Sequence, residues 1–199
     1  MSAVAERLGV PITVLYGYVA NKDEMVRLAA ARAAQGHQFP ADDGQHWTVY
    51  VASHAMALFD LLIGPGQLIS QYFAGGLGPE VELDRAEAWL DGMTRHGFDP
   101  TAALLLHRQM GEIVIGGAVT VLHGRSLETA GTRFEDIAKR AINSRADTEI
   151  PLLRSAQATF SRRVPLWPRT LVQLLEAAAA ERGEAFDRQP VLSVLNIAP

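Results

Sequence analysis

"VAERLGVPITVLYGYVANKDEM", residues 4–25, decides how this chain is read. Val4, Ala5 and Leu8 share one face of a short helix over residues 1–8. Gly9 ends it, because glycine accepts the left-handed conformation that a helix stop requires. A second short helix is predicted over 13–19, with Leu15 and Val19 one turn apart. Asn21 then caps a third helix over 22–36, with Asp23 and Glu24 in the first turn, where the helix dipole favours negative charge. A small residue (Ala5), a turn glycine (Gly9) and an apolar lock (Leu15), with Val4, Leu8, Val10 and Tyr18 as further packing positions, form the pattern of a helix-turn-helix. The same spacing also fits a plain helical hairpin.

The rest of the 199 residues reads as helices too. Strand-like alternation is not sustained, and the fold class expected is all-α: a small N-terminal part, residues 1–39, and a larger helical bundle, residues 40–199. Expected helices cover 45–63, 67–74, 80–95, 100–123, 149–162 and 168–182, with a loop at 75–79. Residues 124–147 read as polar and irregular, and the tail from Gln189 has no clear assignment.

Composition narrows the class. With 48% hydrophobic residues the chain can bury a core, and no apolar run is long enough for a membrane span. There is no secretory signal pattern, so a cytoplasmic protein is expected. There are no cysteines, which removes disulfides and thiolate metal sites. The net charge is −4, whereas Arg7, Lys22, Arg27 and Arg32 outnumber Glu6, Asp23 and Glu24 in residues 1–39. Any nucleic-acid contact would be confined to a small patch.

Residues 4–25 closely resemble the tetracycline-repressor (TetR) family. The motif residues are Ala5, Leu8, Gly9, Val10, Leu15, Tyr16, Tyr18 and Lys22. "HWTVYVASHAMALFDLL" (46–62), "FDPTAALLLHRQMGEIVIGGAV" (98–119) and "PLLRSA" (151–156) are similar, more weakly, to the family's ligand-binding and dimerisation domain. The resemblance implies a homodimer that binds a palindromic operator and releases it when a small apolar molecule enters the larger domain. It also implies a further helix ahead of Met1, so operator DNA is the expected partner if the head is completed upstream. The alternative is a dimeric small-molecule-binding protein with no DNA-binding activity because that first helix is lost.

The implied DNA-facing residues are Ile12, Thr13, Val14, Tyr16, Gly17, Tyr18 and Lys22. Ile12 and Val14 suit thymine methyl groups, Thr13 suits base edges, and Tyr16, Tyr18 and Lys22 suit phosphates. Pro11 and Gly17 depart from the family, which often has a polar and a large residue there.

Polar groups on otherwise apolar helices are the ligand candidates: His54, Trp89, His107, Arg108 and Glu112, with Leu58 and Leu104 as apolar wall. Gly111, Gly116 and Gly117 lie inside the long helix, where each costs about 1 kcal/mol relative to alanine. Close helix–helix approach would offset that cost, and the resemblance assigns it, with Leu171 and Leu175, to a homodimer interface. The family's magnesium-binding histidine has no counterpart in "GPGQLISQYFAGG", residues 64–76. No metal or cofactor is expected, and no enzyme: a nucleophile elbow, a zinc-protease motif and a phosphate loop are all missing, and "VIGGAV" lies inside a helix rather than after a strand.

Overall fold

The computed structural model describes residues 1–64, 68–73, 79–161 and 165–197. These residues form helices and no strands, so the fold is all-α. Among them, no helix is long and apolar enough to cross a membrane. The expected loop at 75–79 lies outside the described residues except for Pro79.

Three helices open the chain: α1 (Ser2–Leu8), α2 (Ile12–Tyr16) and α3 (Lys22–Gly36). Gly9 takes φ 67°, the left-handed stop the sequence called for, and the Val10 amide donates back to the Ala5 carbonyl at 3.1 Å. α2 is shorter than expected and ends at Tyr16, and Gly17 stays right-handed. Ala5 is buried, but Leu8 (63% exposed) and Tyr18 (83%) are not the packing residues the pattern implied. Asn21 caps α3 by accepting from the Glu24 amide at 2.8 Å, and the Glu24 carboxylate accepts in return from the Ala20 amide. This reciprocal bonding uses up two amides that would otherwise be unpaired.

The bundle is built around α7 (Pro100–Thr129), which packs on α4 (Trp47–Ile63), α6 (Pro79–Arg95) and α11 (Trp167–Glu181). Asp99 caps α7 through the Thr101 and Ala102 amides, with Pro100 in its first turn. One face of α7, made of Ala103, Leu106, Met110, Val114 and Ala118, is buried against Val51, Leu62, Met93, Leu171 and Leu175. Each large aliphatic side chain buried there is worth about 1.5–3 kcal/mol. A corner joins three elements: Glu184 accepts from the Trp47 indole at 2.6 Å and from Arg182 at 2.8 Å, and the Arg182 guanidinium lies 3.9 Å over Phe98. The short α5 (Leu68–Phe73) and the second half of α3 share a separate apolar cluster of Ala30, Ala34, Leu61, Leu68 and Phe39.

Four expectations are corrected. The long helix runs to Thr129 and not 123, because Gly124 sits inside it in open space and Gly131 (φ 73°) is the stop. The extra turns carry Arg125 to the Ile63 carbonyl at the end of α4, 3.0 Å away. The segment read as irregular contains α8 (Phe134–Asn143), whose apolar stripe is narrow: Phe134, Ala138 and Ile142 recur every fourth residue among charges. The helix expected over 149–162 is two short ones, α9 (Pro151–Ser155) and α10 (Gln157–Ser161), which pack with α8. The tail holds α12 (Arg188–Val194), capped by Asp187, with Val191 and Leu195 buried on the bundle. Pro190 reads as a breaker, but it falls in the first turn of α12, where proline is tolerated.

Candidate functional site

The most unusual group of side chains lies where α4, α6 and α7 meet. Residues one turn apart on α4, Tyr50 and His54, face Trp89 of α6, which in turn faces His107 of α7. Ring centroids are 4.4 Å apart for Tyr50–His54, 5.1 Å for His54–Trp89, 5.7 Å for Tyr50–Trp89 and 5.0 Å for Trp89–His107. Phe39, from the chain just after α3, closes the row at 5.6 Å from His54.

Burial sets the electrostatics. His54 is pushed down to about 4 by loss of solvent, and His107 is also lowered by burial. Both imidazoles are therefore neutral at pH 7. The His54 Nδ1 lies 3.3 Å from the Tyr50 carbonyl. A carbonyl can only accept, so Nδ1 carries the proton and Nε2 keeps a lone pair. The Trp89 indole donates to the Ala103 carbonyl at 3.0 Å, which leaves that residue only its ring faces for other partners. The Tyr50 hydroxyl is raised, first by burial and then by the nearby Asp42 carboxylate. Its ring lies against Gly92, where a β-carbon would collide with the hydroxyl end.

A polar tie borders the cluster. The Asp42 carboxylate accepts from Arg95 at 3.0 Å, from His96 at 3.2 Å and from the Gly44 amide at 3.1 Å. This holds the loop before α4 onto the end of α6. Among the described residues no three His, Asp or Glu side chains are grouped so as to hold a metal ion.

Of the sequence-based ligand candidates, His54, Trp89 and His107 come together. Leu58 is half-buried on the main core. Leu104, Arg108 and Glu112 do not join them: spaced by four residues, they form an exposed outer stripe on α7. Tyr50, Phe39 and Arg85 belong to the neighbourhood and were not singled out from sequence. Tyr50 and Arg85 each stand one turn before a chosen residue, and that spacing was the available signal.

The dimer candidates also divide. Leu171 and Leu175 are fully buried within the chain, and Gly117 is filled against by Trp167, so these three are intrachain packing. Among the described residues, and apart from the helix's own backbone, Gly111 and Gly116 have nothing within 4 Å of where a β-carbon would stand. The residues expected to face DNA, Ile12, Thr13, Val14, Tyr16, Gly17, Tyr18 and Lys22, are all exposed. They lie on α2, just after it, and at the first position of α3.

The cluster offers aromatic faces and neutral imidazoles, which suits contact with an uncharged, largely apolar molecule. A comparison with protein-family models matches none of them to this chain, and a search of curated proteins finds no match.

Proposed function

We propose that the chain is a ligand-responsive transcriptional regulator of the tetracycline-repressor type. It binds a palindromic operator as a homodimer and leaves it when a small apolar molecule enters between α4, α6 and α7. The observation that carries the reading is the head. α1 and α2 are joined across a left-handed Gly9 and followed by a capped α3, and α2 presents Ile12, Thr13, Val14 and Tyr16 to solvent. Apolar side chains are expensive to leave exposed, and a major groove with its thymine methyls is a surface that covers them.

The ligand acts by population shift: it prefers the arrangement in which the two heads no longer match the half-site spacing. Trp89 is fully buried and His54 nearly so, so a ligand reaches them only if the packed rings part. That parting moves α6 relative to α4, which is how occupancy alters the rest of the molecule.

A second reading is a ligand-binding dimer without DNA function. It is favoured by the net charge of −4 and by Asp23 and Glu24, which directly follow Lys22 and repel phosphate. Salt dependence separates the two. A labelled random-sequence duplex titrated at several salt concentrations should bind, with affinity falling steeply as salt rises. Lys22→Ala should flatten the slope by about 0.9 per phosphate lost per chain. Absence of binding at low salt would leave the second reading.

A further inference from the structure

We infer that Arg85 is a positioning residue that ties the last turn of the head helix α3 to the histidine–aromatic cluster, so that rearranging the cluster loosens the head. The functional meaning rests on the reading of α1–α3 as a DNA head; the coupling itself is a property of the folded chain.

The final carbonyls of a helix lack intrahelical partners and need another donor. α1 and α7 are each followed by a left-handed glycine, Gly9 and Gly131. α3 has no such stop. Its C-cap, His37, is extended, and no basic residue occupies its last turn. The His37 amide donates to the Ala34 carbonyl at 3.3 Å, and a second, charged donor comes from α6: the Arg85 guanidinium bonds the same carbonyl across 51 positions of sequence. A cation at that end also complements the helix dipole.

The same guanidinium stands 4.7 Å over the Phe39 ring. Phe39 packs on the small core of Ala30, Ala34, Leu61 and Leu68, and its ring centroid lies 5.6 Å from that of His54. Arg85 and Trp89 are one turn apart on α6 and share a face. One rigid stretch of helix therefore carries the clasp on α3 and the ring against His54 and His107. Displacing Trp89 or His54 moves Arg85 or Phe39, and the end of α3 loses its charged donor and keeps only the His37 amide. α3 is also the helix that follows the exposed α2, so its order governs the head.

Hydrogen exchange of the full chain, without DNA or ligand, tests this. Amides of α3 should exchange about tenfold faster in Arg85→Gln, the loss expected for one hydrogen bond to a charged donor. His54→Gln should raise exchange at those same amides several-fold, while α11 stays protected. The double variant should match Arg85→Gln alone, because the route from cluster to head is already broken. Arg85→Lys keeps the charge but not the planar fork, so it should fall between wild type and Arg85→Gln. If Arg85→Gln also unprotects α11, the Arg85→Lys and His54→Gln pair supplies the cycle. Unchanged α3 exchange in Arg85→Gln, or effects of the two sites that simply multiply, would overturn the inference. A working clasp in a chain that ignores DNA would overturn the proposed function and leave the clasp standing.

Discussion

Gly111 and Gly116 make opposite predictions for a monomer and for a dimer. Both lie inside α7, and a β-carbon at either meets nothing within 4 Å among the described residues outside the helix's own backbone. In an isolated chain, alanine at each should therefore stabilise by about 0.8–1 kcal/mol through helix propensity alone. If a second copy packs closely against α7 at Gly116, the added methyl weakens association, because overpacking a tight contact costs about 1–3 kcal/mol. The dimer reading predicts that Gly116→Ala raises the dissociation constant about tenfold or more, while the dissociated chain becomes more resistant to urea. Gly116→Leu should give monomers. Gly117→Ala is the internal control. Its methyl would run into Trp167, which is itself packed on Phe59 at 4.8 Å, so it should destabilise at every protein concentration. After the helix-propensity gain, a net loss of up to about 2 kcal/mol is expected. Sedimentation velocity and urea melts over a hundredfold concentration range read both effects. A wild-type monomer at micromolar concentration, with Gly116→Ala uniformly stabilising, would refute the dimer.

His54 gives a pH signature. Its folded pKa of about 4 is below the ordinary 6.5, so the unfolded chain takes up a proton first on acidification. Stability from this group is complete above about pH 6.5 and is lost as pH falls toward 4, by up to about 3 kcal/mol. Thermal melts of His54→Gln should be flatter over that window, and an unchanged acid slope would count against a buried neutral imidazole. Asp42 acts at lower pH. The Gly44 amide, then His96 and Arg95, hold its carboxyl below the usual carboxylate range. Its contribution is therefore present above that range and disappears as pH drops through the lowered value. Asp42→Asn should melt lower than wild type at pH 7 and converge with it in acid, as circular dichroism would show.

Element type was legible wherever periodicity and punctuation agreed. Gly9 and Asn21 act as stop and cap where the sequence puts them. What failed were boundaries where one residue carries two meanings. The long helix, expected to end at 123, continues through Gly124, and Pro190, in a tail with no clear assignment, sits in the first turn of α12. At the site, His54, Trp89 and His107 stood out as polar or amphipathic residues on apolar helices, and they converge. Arg108 and Glu112 drew attention for the same reason, and Leu104 as apolar wall, yet all three point outward, because proximity in sequence to His107 does not fix the face of a helix. Phe39 and the Arg85 clasp were out of reach: one lies in an irregular segment, and the other pairs residues whose meeting depends on how α3 and α6 pack.

The central claim is sequence-specific DNA recognition by a two-fold dimer. Selection of bound duplexes from a random library of about 30 base pairs, followed by sequencing, tests it most directly. The account predicts enrichment of one inverted repeat with half-sites about one helical turn apart, or a multiple of that. Thr13→Ala should relax the preference at one position of each half-site by about 1–3 kcal/mol. A bound pool as random as the input would contradict it.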